Sequence, residues 1–224
     1  MPTLDGPRWG PKEGAAEHLV LLLHGVGADG NDLIDLAPGW AAAAPKARFW
    51  SPHAPAPYDM GGGGFGRQWF SLADRSPAMM AAGLAAIAPV IDAAIAEECA
   101  AMGIPETHVA LFGFSQGAMT ALSCGLRRAI PPAAILAYSG ALRDAGTLAT
   151  TIRARPPVLL VHGEDDEVVP AAASRAAEAA LRAAGVPVEA MFCPRLGHGI
   201  DQAGISRGGL FLQRAFALLD AAEA

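Results

Sequence analysis

The sequence of 224 residues has little charge, few aromatic side chains and little cysteine. Only 17% of the residues are charged, the net charge is −6, and no basic run is present. This argues against a nucleic acid or an anionic membrane as partner. Cys99, Cys124 and Cys193 are odd in number and irregularly spaced, so they indicate neither a disulfide framework nor a metal cluster. Together with an N-terminal segment that lacks the apolar core of a signal peptide, they lead us to expect a cytoplasmic protein.

Alanine is abundant, with 50 residues, and raises the hydrophobic share to 52% and the mean hydropathy to +0.30. One uncharged run, Thr107–Leu126, is 20 residues long and could just span a bilayer. It contains serine, threonine, glutamine, histidine and glycine, which a lipid-facing helix would have to bury. We therefore interpret the run as a strand followed by a helix, and we expect no stable membrane association.

Short apolar runs alternate with alanine-rich stretches along the chain. The runs predict six strands, at His18–His24, Ala47–Ser51, His108–Phe114, Ala133–Tyr138, Val158–His162 and Val188–Cys193. The stretches predict five helices, at Asp32–Ala44, Pro77–Ala101, Gln116–Arg128, Ala171–Ala184 and Ser206–Ala222. Near-continuous apolar strands between helices are typical of a parallel sheet that is covered on both faces. We expect one α/β domain over residues 1–224, with an irregular N-terminal segment over 1–16.

The segment Gly25–Gly30 matches the G-x-G-x-x-G pattern of dinucleotide-binding turns and lies between a strand and a helix. Such a site also needs an acidic residue about 20 positions further on, and none is present there. Asp29 and Asp32 would moreover stand at the helix N-terminus, where a pyrophosphate needs positive potential. We expect no nucleotide and no other cofactor.

The pentapeptide Gly113-Phe114-Ser115-Gln116-Gly117 is a G-x-S-x-G motif between a predicted strand and a predicted helix. A serine at such a sharp turn has strained backbone geometry, and glycine on both sides removes the clashes that larger residues would make. The turn exposes the Ser115 hydroxyl above the sheet. This context predicts a nucleophilic serine.

A serine nucleophile needs a base, and the base needs an acid to hold it. In hydrolases with this motif the order along the chain is serine, acid, histidine. His198 is the only histidine after the acidic turn Glu164–Glu167, so it is the candidate base. The turn offers four carboxylates, and spacing alone does not select one. A divalent-metal site is conceivable there, but consecutive residues do not converge on one ion, and we expect no metal.

The chain resembles the phospholipase/carboxylesterase family of α/β-hydrolases. The resemblance rests on Leu22–Gly27, Gly113–Gly117, His162–Pro170 and Gly197–Gly199. It implies a mostly parallel, twisted sheet with helices on both faces. The connection between the strands that end at Tyr138 and begin at Val158 is too short to hold a helical cap, so we expect no substantial cap domain. The resemblance also implies that Asp166 is the triad acid and that the amides of Val26 and Gln116 bind an oxyanion. The function expected from it is hydrolysis of carboxylic esters, with thioesters or lysophospholipids as further substrates.

The Pro- and Gly-rich loop Ser51–Ser71 follows a strand directly and is expected to form part of the substrate pocket. Its candidate pocket residues are Met60, Phe65, Trp69 and Phe70. The expected partners are a small-molecule ester and, as an open alternative, a second copy of the chain. Two other functions stay open: a dienelactone-hydrolase-like enzyme, whose family uses a cysteine nucleophile, and a hydrolase-like binding module without activity.

Overall fold

A computed structural model describes residues 3–11, 15–60 and 66–223 of the chain. The strands are β1 (Arg8–Trp9), β2 (His18–Leu23), β3 (Ala47–Trp50), β4 (Ala56–Pro57), β5 (Arg67–Gln68), β6 (Val109–Phe114), β7 (Ala134–Tyr138), β8 (Val158–Gly163) and β9 (Val188–Cys193). Seven of them form one sheet in the order β1-β3-β2-β6-β7-β8-β9. Every neighbouring pair in this sheet is parallel except β1 with β3. The short strands β4 and β5 pair separately, in antiparallel orientation.

The helices are α1 (Ala37–Trp40), α2 (Pro77–Met102), α3 (Gln116–Arg127), α4 (Leu148–Thr151), α5 (Ala172–Ala183) and α6 (Gln202–Glu223). Four of the five predicted helices are confirmed, and α6 begins four residues earlier than expected. The helix predicted over Asp32–Ala44 is wrong. That segment forms a 3-10 turn, Ile34–Leu36, and the single turn of α1, in which Gly39 is a poor helix residue and Pro45 follows shortly after.

All six predicted strands are confirmed to within one residue at each end. The expectation of an irregular segment over 1–16 is wrong at Arg8–Trp9, because β1 pairs with Trp50 and Phe49 of β3 and closes that edge of the sheet. Two residues give too short a hydrophobic period to be recognised from sequence.

Alternate residues of each strand enter two different cores. In β2, Leu19, Leu21 and Leu23 face the core covered by α2, α3 and α5, whereas Val20 and Leu22 face the core covered by α1 and α6. Both sets are fully buried, which explains the unbroken apolar runs in the sequence. The predicted placement of helices on both faces is therefore confirmed.

Helix α2 has 26 residues and is long and apolar enough, by length and composition alone, to cross a membrane. Its inward face instead packs in the core through Met80, Leu84, Ile87, Ile91 and Ile95. Gly103 ends the helix in the left-handed conformation, with φ of 71°.

The connection between β7 and β8 contains a 3-10 turn and the single turn of α4. No cap domain is inserted at this connection, as expected. The architecture is the predicted α/β-hydrolase fold. In open α/β sheets the carboxyl ends of the strands are where ligands bind.

Candidate active site

Ser115 lies at a strained turn between β6 and α3. Its backbone has φ of 54° and ψ of −116°, a region that L-residues rarely occupy. A Cβ atom at Gly113 would lie 2.2 Å from the carbonyl oxygen of Gly117, and one at Gly117 would lie 1.8 Å from that of Leu23. Both glycines are therefore required by close backbone approach, as the motif predicted. The turn directs the Ser115 side chain toward the carboxyl edge of the sheet.

His198 stands between Ser115 and Asp166. Its Nδ1 lies 2.7 Å from Oδ2 of Asp166, and its Nε2 lies 3.0 Å from Oγ of Ser115. An ionised carboxylate can only accept, so Nδ1–H donates to Asp166 and the neutral Nε2 accepts from the Ser115 hydroxyl. This tautomer leaves Nε2 ready to take a proton from the serine.

Asp166 is the only side chain of the acidic turn that is buried inward. Glu164 pairs with Arg175 at 2.9 Å, and Asp165 and Glu167 are exposed. The structure thus selects one carboxylate where spacing alone selected none. No group of three or more His, Cys, Asp or Glu side chains that could hold a metal ion occurs in the described part of the chain.

Three hydrogen bonds hold the Asp166 carboxylate. Its Oδ1 accepts from the amides of Val168 and Val169 at 2.9 and 2.8 Å, and its Oδ2 accepts from His198 at 2.7 Å. Nε2 of His162 lies 3.2 Å from the same Oδ2. Burial alone raises the pKa of a carboxyl group. The hydrogen bonds from His198, Val169 and Val168 outweigh it and lower the pKa of Asp166 below its ordinary value. Asp166 is therefore an anion at neutral pH.

His162, at the end of β8, forms a further layer behind Asp166. Its Nε2–H donates to the carbonyl of Val169 at 2.7 Å, so its Nδ1 accepts from the hydroxyl of Ser174 at 2.6 Å. The chain of contacts runs from Ser115 through His198, Asp166 and His162 to Ser174. Apart from His198, whose side chain is 18% exposed, its members are buried. Sequence reasoning missed the roles of His162 and Ser174, although His162 begins the motif that contains Asp166.

Val26 and Gln116 line the same cavity as Ser115. Among the described residues, neither backbone amide donates a hydrogen bond to a carbonyl or side chain, so both are free to bind an oxygen atom. The structure thus brings the two residues predicted to form an oxyanion hole to the cavity that Ser115 lines.

His24 fixes the loop that carries Val26. Its Nδ1–H donates to the carbonyl of Gly25 at 2.7 Å, and its Nε2 accepts from the amide of Ala54 at 3.0 Å. Burial lowers the pKa of His24, which keeps the ring neutral and able to accept that hydrogen bond. Gly27, the next turn residue, needs its φ of 82°. The glycine-rich segment therefore shapes a turn beside Ser115.

Trp69 forms hydrogen bonds with both segments beside Ser115. Its indole Nε1 donates to the carbonyl of His24 at 2.8 Å, and its amide donates to Oε1 of Gln116 at 3.0 Å. The Gln116 amide group donates in turn to the carbonyl of Phe70 at 2.7 Å. These contacts join the 51–71 loop to both segments that present the free amides. They depend on residues far apart in sequence and carry no local signal.

A cavity of about 120 Å³ adjoins Ser115. It is lined by Val26, Leu72, Arg75, Met80, Ser115, Gln116, Met119, Arg143, Val168 and Val169. The predicted pocket wall is thereby corrected: Trp69 and Phe70 belong to the core, and Met60 is 53% exposed and outside the lining. Trp69 is only 3% exposed and Phe70 only 6%, so neither ring presents a face to substrate. Phe65, the fourth candidate, and the Gly61–Gly64 run lie outside the described residues.

The fold and this site define a hydrolase of the α/β class. The Phospholipase/Carboxylesterase family matches residues 7–214, and the chain belongs to that family. The crystal structure of esterase PE8 is similar, with 39% identity and a TM-score of 0.89 over 96% of this chain and 100% of that chain. The esterase YpfH of Escherichia coli is 31% identical over 189 residues, which are 83% of this chain and 78% of that protein. Acyl-protein thioesterase 1 of Schizosaccharomyces pombe is 28% identical over 169 residues, which are 70% and 72% of the two chains.

Proposed function

We propose that this protein hydrolyses carboxylic esters through an acyl-enzyme intermediate on Ser115. The observation that supports this best is the hydrogen-bonded series Ser115–His198–Asp166, with contacts of 3.0 and 2.7 Å, beside two unengaged amides. Nucleophile, base, acid and oxyanion donors are the parts that acyl transfer needs.

In the first half of the reaction, Oγ of Ser115 attacks the ester carbonyl carbon while Nε2 of His198 takes the hydroxyl proton. The carbonyl oxygen becomes an oxyanion and accepts from the amides of Val26 and Gln116, each worth about 3 kcal/mol of transition-state stabilisation. The bond to the leaving oxygen then breaks, and His198 gives its proton to the departing alcohol.

In the second half, water attacks the acyl-serine and passes a proton to His198. Collapse of the new tetrahedral intermediate releases the carboxylic acid and returns the proton to Ser115. Asp166 stays ionised throughout and stabilises the imidazolium at Nδ1. Its three hydrogen bonds suit that role, because they hold the carboxylate in one position.

The small cavity favours short acyl groups. An engineered cavity of about 150 Å³ binds benzene, so one of about 120 Å³ accepts an acyl chain of roughly four or five carbons. Thioesters present the same electrophilic carbon to Ser115. The similarity to an acyl-protein thioesterase supports them as further substrates.

A cysteine-based, dienelactone-hydrolase-like reaction is disfavoured. The residue at the turn is serine, and the three cysteines are buried. Burial raises the pKa of Cys99 to about 11 and that of Cys124 to about 12, so neither supplies a thiolate at neutral pH. Free, buried thiols also support our proposal of a cytoplasmic location.

The proposal is tested by fluorophosphonate labelling and by hydrolysis of p-nitrophenyl butyrate. We expect stoichiometric labelling of the wild-type protein and loss of both label and turnover in Ser115→Ala. Ser206→Ala is the matched control, because Ser206 is exposed on α6 and borders a different cavity. Undiminished turnover in Ser115→Ala would refute the mechanism, and a wild-type protein that neither labels nor turns over would indicate a binding module.

A further inference from the structure

The cavity beside Ser115 differs in charge from the rest of the chain. The net charge of the protein is −6, yet among the described residues the charged ones that line this cavity are Arg75 and Arg143. Asp166 lies behind His198 and is not part of the lining, and Glu167 is exposed to solvent next to the lining residue Val168. The cavity wall thus combines apolar residues with two arginines.

Neither guanidinium is neutralised by a carboxylate of the described residues. The acidic neighbour of Arg143 in sequence is Asp144, which instead pairs with Arg127 at 2.9 Å and accepts from Ser123 at 2.7 Å. The acidic neighbour of Arg75 is Asp74, whose carboxylate accepts from the amide of Ser76 at 2.8 Å. Both nearby acids are engaged elsewhere, so the two arginines keep their hydrogen-bonding capacity.

The apolar residues of the cavity wall determine the distance from Ser115 at which an anion can bind. Leu72, Met80, Met119, Val168 and Val169 surround a volume of about 120 Å³, enough for a short methylene chain. Because Ser115, Arg75 and Arg143 line the same cavity, we infer that a carboxylate at the end of such a chain binds the arginines while its ester carbonyl stays at Ser115. Arginine is the residue best shaped for a carboxylate, since it offers a planar pair of donors.

We propose that this enzyme prefers esters whose short acyl group ends in a carboxylate, that is, monoesters of dicarboxylic acids. Arg75 and Arg143 then determine specificity by binding the free carboxylate. The inference rests on the proposed ester hydrolysis at Ser115 and adds the substrate class to it. Both arginines are exposed, so each contact is worth only about a threefold gain and weakens with salt.

The test compares kcat/KM for monomethyl glutarate with that for methyl valerate, which has the same chain length and no charge. Proton release is followed in a pH-stat at pH 7.5 and low salt. We expect the wild-type enzyme to favour the monoester about tenfold, and the ratio to fall about threefold in Arg75→Gln and again in Arg143→Gln. The loss should appear as a higher KM for the monoester, and raising NaCl should lower the wild-type ratio in the same way.

Arg153→Gln is the matched control. Arg153 is an exposed arginine that follows α4, and its backbone amide donates to the carbonyl of Leu126 near the C-terminal end of α3. The substitution removes the same charge far from Ser115 and should leave the ratio unchanged. A wild-type ratio near or below one, or a ratio retained in the double variant, would overturn the inference. Preference for 4-acetoxybenzoate over phenyl acetate without preference for monomethyl glutarate would place the anion on the alcohol side and also contradict it. Failure of the proposed function is distinct, since the wild type would then hydrolyse neither ester.

Discussion

Two histidine–aspartate pairs lie at opposite ends of the sheet and have nearly the same length. His198 Nδ1 is 2.7 Å from Asp166 at the carboxyl end, and His18 Nε2 is 2.9 Å from Asp220 at the amino end. The Asp166 side chain is fully buried and accepts three hydrogen bonds, whereas the Asp220 side chain is 43% exposed. The His198 ring reaches a serine hydroxyl, whereas the His18 ring stacks on Phe216 at 4.2 Å.

A histidine–carboxylate contact alone is therefore not a catalytic dyad. At the carboxyl end, two backbone amides hold the carboxylate, and the ring of His198 contacts the strained Ser115, the proposed nucleophile. At the amino end, the same contact attaches α6 to the first residue of β2, and no hydroxyl group contacts His18 among the described residues. Surroundings decide which pair can do chemistry and which can only contribute to stability.

The strongest test of this comparison is the same aspartate-to-asparagine substitution in both pairs. We expect Asp166→Asn to lower kcat about 10⁴-fold, because an amide no longer holds His198 in the required tautomer. Asp220→Asn should leave kcat and KM unchanged. The measurement is steady-state hydrolysis of p-nitrophenyl butyrate, with circular dichroism to show that both variants fold. A comparable loss of activity in the two variants would contradict the distinction.

A smaller effect is expected from His162, which lies behind Asp166. His162→Phe keeps an aromatic ring but removes the hydrogen bond to the carbonyl of Val169, the residue whose amide donates to Oδ1 of Asp166. We expect the carboxylate to be held less firmly, so that kcat falls about tenfold and some stability is lost.

The diagnostic result for His162 is accordingly a lower kcat with an unchanged KM for p-nitrophenyl butyrate. Ser174→Ala is the matched control, since it removes the partner of Nδ1 but leaves the hydrogen bond from Nε2 in place. It should reduce stability and keep kcat. An unchanged kcat in His162→Phe would show that His162 acts on folding alone.

The two ends of the sheet were not equally accessible to sequence analysis. Ser115, Asp166 and His198 follow strands within recognisable motifs, and their separation in the chain did not hide them. The roles of Trp69, Gln116 and His18 depend on contacts between segments 45, 47 and 202 residues apart in sequence, such as the indole of Trp69 on His24 and the ring of His18 on Asp220. No local pattern encodes such contacts, and an aromatic residue in a glycine-rich loop could equally predict a pocket wall.

The need for a local sequence pattern also explains which strands and helices could be predicted. Strands buried on both faces carry a dense apolar signal over four to six residues, and their positions were predictable. The two-residue strand β1 and the single turn of α1 have too few residues to show a period. β1 forms only because β3 presents a free edge, and α1 because Trp40 is fully buried against the sheet, with its indole donating to Ile205.

The smallest expected effect concerns stability at the amino end and its dependence on pH. Burial lowers the pKa of His18 below its ordinary value, and Asp220 only partly offsets this, while His108 lies stacked 5.4 Å away. The unfolded chain then binds more protons at His18 than the folded protein does, so stability falls as pH drops below about 6.5. In Asp220→Asn, the amide oxygen can still accept a hydrogen bond from neutral His18. The substitution removes the negative charge that stabilises protonated His18. We therefore expect the Tm of this variant to match the wild type at pH 8 and to lie about 2–4 °C lower at pH 5.

The control is Asp35→Asn, which changes an exposed carboxylate and should follow the wild type at both pH values. His24, whose pKa is also lowered, is present in all three proteins and cancels in the difference. Equal losses of Tm in the three proteins would mean that the Asp220 contact does not respond to protonation of His18.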